Sequence, residues 1–182
     1  MQFNFSIVQG VYKVTALFSL FSLLRTRERR RVLCFGPFFI TGTLTAEAYV
    51  NLLATQFLSE LQRKGLIYSH HFQQDGAPAH TVYISKEVLN EKFPDRWIGK
   101  FSDTPWPARS PDLTSCDNAL WGVLKPRIIA QNATTVNELK AATIEEFANS
   151  DRETLKLIND RTFRIFQICI DNNGLQVEPF DI

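Results

Sequence analysis

The chain has 182 residues, of which 45% are hydrophobic, 12% aromatic and 21% charged, with 20 lysines and arginines against 19 aspartates and glutamates. At about 100–200 residues per domain this is one domain's worth of material, enough to bury a core without disulfide staples, and the composition excludes a disordered chain, a collagen and a multi-span membrane protein. Cys34, Cys116 and Cys169 are odd in number with no pair at Cys-x-x-Cys spacing, which argues against a disulfide framework or zinc site and fits a reducing, intracellular compartment.

Charge is spread unevenly. Residues 1–31 hold Lys13, Arg25, Arg27, Arg29, Arg30 and Arg31 against Glu28, a net of +5, whereas residues 32–182 carry 14 basic and 18 acidic groups, a net of −4. Phosphate neutralisation supplies most non-specific DNA affinity, so only the first segment offers a basic excess for it. Its arginine run, residues 25–31, reads either as a nuclear-import or nucleic-acid patch or as a solvated loop.

In chain order, Val14 to Leu24 is an eleven-residue apolar run. About 20 residues are needed to span a bilayer as a helix, and a cleavable signal carries its charge before the apolar run rather than after it. The run is read as a strand, Tyr12 to Ser22, joined through the arginine-rich turn to a second strand, Val32 to Ile40, both rich in β-branched and aromatic residues. A helix follows, with Thr45 as N-cap, Leu44, Ala48, Leu52, Leu53, Phe57 and Leu61 at helical spacing, and Gly65 as its stop. Leu66 to Gln74 reads as a strand running out of the core toward an edge or a site, because His70, His71, Gln73 and Gln74 are polar, and it ends in the turn Asp75-Gly76-Ala77-Pro78. Thr81 to Phe93 reads as a helix and Trp97-Ile98 as a short strand; the β-α-β-α-β alternation favours a layered α/β fold.

Residues 102–114 hold three prolines in thirteen positions and form a shaped loop. Thr114 or Ser115 then caps a helix bearing Leu120, Val123 and Leu124, with Asp117 in its first turn and Pro126 ending or kinking it. Thr135 and Glu138 have capping-box spacing, and Asp151 caps a long helix through Leu155, Ile158, Phe166 and Ile170 that closes at Asn173-Gly174.

Asp75 ends a strand and Asp117 starts a helix, so backbone geometry aims both, and carboxylates so placed can converge on one Mg²⁺ or Mn²⁺. Each also has a plainer explanation: Asp-Gly is a common turn, and aspartate a common choice in a first helical turn.

The surrounding blocks are more specific. Gln73-Gln74-Asp75-Gly76-Ala77-Pro78-Ala79-His80, Leu89 to Gly99 (LNEKFPDRWIG), Trp106 to Thr114 (WPARSPDLT), and Asp117 followed by Leu120-Trp121-Gly122 and Leu124-Lys125 together resemble the catalytic domain of mariner-type transposases, in the DDE endonuclease superfamily. The likeness covers about residues 32–175, so residues 1–31 are set apart as a divergent N-terminal segment (a strand and the arginine turn) and residues 32–182 as the DDE core. It implies an α/β ribonuclease-H-like fold, a mixed sheet flanked by helices, in which three acidic residues hold two divalent metals for DNA strand cleavage and transfer. On this carry-over Asp75 and Asp117 match the second and third acidic residues, both catalytic and metal-binding. His80 orients Asp75, touches substrate or stabilises the turn. DNA contacts fall to Arg25, Arg27, Arg29, Arg30, Arg31, Lys100 and Arg109. Implied partners are DNA and a second copy of the chain, in the nucleus, with neither membrane nor small-molecule substrate.

The sequence departs from the family at its start, since no aspartate precedes Asp75 and the earlier acids are Glu28, Glu47 and Glu60. The expected consequence is a first strand missing or degraded, an N-terminally truncated core without its DNA-reading region, weakened Mg²⁺ or Mn²⁺ binding and no transposition of its own. Two alternatives stand beside it: a co-opted, non-catalytic module binding protein or nucleic acid, and an active nuclease completed by Glu47, Glu60 or another chain.

Overall fold

A computed structural model describes residues 14–17, 22–25, 30–68, 70–108, 110–175 and 177. Four short strands open the described chain: β1 (Val14–Leu17), β2 (Ser22–Arg25), β3 (Arg30–Leu33) and β4 (Phe38–Thr41). β1 pairs antiparallel with β4 and β2 with β3. Partner numbers add to 55 in both ladders, so the two pairs are arms of one hairpin in a single register. Of the strand expected over Tyr12–Ser22, the described residues are β1 and Ser22, the first residue of β2, and the strand expected over Val32–Ile40 is divided between β3 and β4. The second breaks at 34–37, where Pro37 has no amide to donate and Gly36 takes a φ of 118°.

β4 is where the core divides. Phe38 and Ile40 pack into one apolar cluster, centred on Tyr49, Leu52, Phe57 and Phe72, while Phe39 between them packs into another, centred on Leu120, Leu124 and Ile128. Alternate strand residues point to opposite faces, so helices cover both sides of this strand.

The first cluster is built by α1 (Ala46–Leu52) and α2 (Leu58–Arg63), joined by a π-helical turn, Leu53–Phe57. Thr45 caps α1 by accepting a hydrogen bond from the Ala48 amide at 3.2 Å, and Gly65, with a φ of 67°, ends the run after α2. The strand expected over Leu66–Gln74 is shorter, β5 (Phe72–Gln73). The Arg96 guanidinium takes the Ile67 and His70 carbonyls at 3.0 and 2.7 Å, and His70 Nδ1 contacts the Leu66 carbonyl at 2.7 Å. Side chains thus occupy the acceptors that a longer ladder needs. β6 (Trp97–Gly99) lies parallel between β5 and β7 (Thr104–Pro105), with α3 (Tyr83–Lys92) connecting β5 to β6.

The second cluster belongs to α4 (Trp121–Ala130), α5 (Val136–Ala148) and α6 (Arg152–Asp171). Pro126 does not end α4, which continues to Ala130; proline removes only its own amide bond, and the buried Leu124 and Ile128 on either side hold the helix in place. Thr135 and Glu138 complete the capping box of α5, Asp151 accepts from the Thr154 amide to cap α6, and Gly174, at a φ of 83°, follows the end of α6. Among the described residues no helix is long and apolar enough to cross a membrane.

Candidate active site

Asp75 stands two residues beyond β5, and Asp117 sits in a π-helical turn, Cys116–Leu120, that leads directly into α4. Such turns are frequent at functional sites because the extra residue re-aims a side chain. Neither expected cap forms here: Ser115 makes no side-chain capping bond, and the Thr114 hydroxyl donates to the Ser110 carbonyl at 3.4 Å. The two aspartates line one cleft of about 300 Å³, with Lys100, Trp106, Ser110 and Thr114 among its walls.

Asp75 is held from behind. Its Oδ1 accepts the Ala77 amide at 3.1 Å and meets His80 Nδ1 at 2.6 Å. His80, in a 3-10 turn over Pro78–His80, is 3% exposed and lies against the Tyr49 ring, with centroids 4.4 Å apart. The Tyr49 hydroxyl donates to Gln74 Oε1 at 2.5 Å, and Gln74 Nε2 donates to the His80 carbonyl at 3.0 Å. Tyr49, Gln74 and His80 thus form one buried circuit behind the carboxylate. Tyr49 is the member that sequence reasoning passes over; its signal is position, one turn after the Thr45 cap and on the same face as Leu52 and Leu53.

Gly99 stands just before a cleft residue, at a position where no side chain fits, because a Cβ there would come within 2.8 Å of the Trp97 ring and 3.2 Å of Gln74 Cγ. Only glycine lets β6 pass that close, and the next residue, Lys100, then stands at the cleft.

The carboxylates are pushed in opposite directions. Burial raises the Asp75 carboxyl, but the His80 hydrogen bond and the Ala77 amide act against it, and the balance lies well below the usual carboxylate range. Burial, and then the Asp75 charge, raise the Asp117 carboxyl, with Lys125 opposing. For Asp75, folded-state stability is present above the unfolded pKa and is lost as pH falls through the lower folded value. Asp117 has the opposite sign, its contribution present at low pH and lost as pH rises through the raised value. Where Asp117 is protonated, a cation held by both carboxylates would displace that proton. We therefore expect Mn²⁺ binding to release more protons at pH 5 than at pH 7, measured calorimetrically in buffers of different ionisation enthalpy, and the excess to vanish in Asp117→Asn.

The other residues singled out in the sequence scatter. Arg25 and Arg30 face each other across the β2–β3 ladder and Arg31 pairs with Leu24, while Arg27, Arg29, Arg109 and Glu28 lie outside the described residues. Lys100 alone of the described basic candidates lines the cleft. Glu47 lies in the first turn of α1, its carboxyl lowered by its own amide and by Thr45, and Glu60 pairs with Arg63 at 2.7 Å and Lys64 at 3.5 Å. Neither lines the cleft, and among the described residues no three His, Cys, Asp or Glu side chains cluster as a metal site. The two carboxylates that line the cleft among the described residues balance the charge of one hard divalent cation and not of two.

No protein-family model matches the chain. It is 30% identical over 133 residues to the transposable element Tc3 transposase of Caenorhabditis elegans, a match over 71% of this chain and 38% of that protein, so the chain spans well under half of its relative's length. The fold superposes on the Mos1 transposase paired-end complex with left transposon end at a TM-score of 0.63 and 25% identity, over 81% of this chain and 42% of that one. It also superposes on the Mos1 transposase catalytic domain solved with raltegravir and Mn, at a TM-score of 0.58 and 22% identity, over 78% and 71% of the two chains, a likeness of fold. The small parallel sheet with its helices is similar to the ribonuclease-H-like, DDE-type fold of the Mos1 catalytic domain. The family is that of the mariner-type transposases, whose DDE domain this chain carries.

Proposed function

We propose that residues 1–182 act as a nuclear, DNA-binding transposase core that holds a single Mg²⁺ or Mn²⁺ between Asp75 and Asp117 and does not cleave DNA strands by itself. One observation carries this: the two aspartates are the only acidic side chains among the described residues that line the cleft. When bound, the cation supplies Lewis-acid polarisation of a phosphate oxygen. The chain's own residues do the rest. Asp75 is pre-oriented by His80, Asp117 supplies the second carboxylate, and Lys100 sits where it neutralises phosphate charge at the cleft wall. A second cation, needed to stabilise both attacking and leaving oxygens of an in-line displacement, would find no further carboxylate at the cleft among the described residues.

The test is calorimetric titration of the protein with Mn²⁺ and Mg²⁺, with a supercoiled-plasmid nicking assay on the same samples. One cation per chain and intact plasmid are expected. Two cations per chain together with nicked plasmid would overturn the reading, by showing a third ligand.

A further inference from the structure

We propose that Trp106 is the stacking platform for one unpaired base of a strand lying in the Asp75–Asp117 cleft, so that the site takes single-stranded or locally unstacked DNA in preference to continuous duplex. The inference rests on the DNA reading above and adds the form of DNA that the cleft accepts.

The cleft walls combine three chemistries: the two carboxylates, the Lys100 ammonium, and the half-buried Trp106 indole. Carboxylate-held cation and ammonium both address phosphate. The indole adds a flat π face, which every base can match and a phosphate cannot. Trp106 differs from the other tryptophans. Trp97 and Trp121 are 7% and 4% exposed and committed to the core, Trp97 donating to Asn90 at 2.9 Å and Trp121 packing edge-on against Phe147.

Trp106 is also fixed in place. Its amide donates to the Gly99 carbonyl at 3.0 Å, Pro105 and Pro107 restrict the backbone on both sides, and its ring meets Phe166 of α6 at 6.4 Å and 70°. Phe166 in turn is braced edge-on by Phe163 at 6.3 Å. A ring held this way loses little rotamer freedom on stacking. A volume of about 300 Å³ stands at the bottom of the range for small-ligand sites. A base inside a continuous duplex has both faces covered by its neighbours, so only an unstacked base can present one to the indole.

The experiment is titration of the full chain with an oligonucleotide, single-stranded and as the blunt duplex, in Mg²⁺ buffer, following intrinsic tryptophan fluorescence and, independently, anisotropy of a labelled strand. The single strand is expected to quench the protein's emission. Trp106→Leu is expected to abolish the quench and weaken single-strand binding by about 5–150-fold while leaving duplex binding nearly unchanged. Trp106→Phe, which keeps a stacking face, should retain most of the affinity, and a thermal melt of each variant separates loss of binding from loss of fold. Equal weakening on both DNA forms, or none on either, overturns the stacking role while leaving DNA binding intact. Failure of the unaltered protein to bind either form removes the DNA reading itself, and this proposal with it.

Discussion

Asp75→Asn is expected to lower Mn²⁺ affinity by more than about 100-fold, and His80→Ala by about 10–100-fold, with both variants still folded. Loss of a group that orients a metal ligand typically costs about 10–100-fold, and loss of the ligand itself more. Asparagine has the shape of aspartate and can still accept the Ala77 amide, so the turn survives while the charge that holds the cation does not. His80→Ala leaves the carboxylate in place but removes the 2.6 Å contact that fixes its rotamer, together with the ring lying on Tyr49. The ordering of the two variants is the informative part, and it is read by calorimetry, with circular dichroism melts as the control for folding. If His80→Ala bound Mn²⁺ as tightly as the unaltered protein, the buried circuit behind Asp75 would be a folding device without influence on the site.

The largest effect on stability is expected from Phe57→Ala. This ring is fully buried, edge-on to Phe35 and Phe38 at 6.3 Å each, and tilted against Phe72 at 5.8 Å, which itself lies 5.2 Å from Phe93. One side chain thus joins β4, the π-helical turn and β5, and Phe72 carries the cluster on to the end of α3. Truncating a buried phenylalanine costs about 3–5 kcal/mol, against a total of about 5–15 kcal/mol for a typical domain. A urea melt should find the variant close to unfolded, whereas Leu157→Ala, on the 67% exposed position of α6, should stay within about 0.5 kcal/mol. Comparable shifts for the two would mean that the aromatic cluster is not what unites these elements.

The helices were legible in the sequence because their signals are local. Thr45, Thr135 with Glu138, Asp151 and Gly174 each act within a few residues of the element that they start or stop, and the structure places all of them as read. Strand limits were less legible, because they depend on distant partners. Nothing between Leu66 and His71 announces that Arg96 will take two carbonyls from that stretch, or that Pro37 will fall where the hairpin breaks. Pro126 does not end its helix for the converse reason: the packing of Leu124 and Ile128 outweighs a single missing amide bond. At the site, a turn signal and a helix start mark Asp75 and Asp117 one by one, but no local pattern brings them to a common cleft. Tyr49 looks like any core aromatic until β5 and the Pro78–His80 turn close over it.

The shared register of the β1–β4 and β2–β3 ladders constrains how this segment can change over evolutionary time. Gaining or losing one residue in 18–21, without a matching change in 34–37, would shift β1 against β4 by one position while β2 and β3 stayed in step. Each β4 residue would then meet the wrong partner, and a strand that slides to compensate turns its phenylalanines toward the opposite cluster. Length drift is therefore tolerated at the hairpin's tip, between Arg25 and Arg30, or in matched pairs along its arms, and the tip is where the arginines are concentrated.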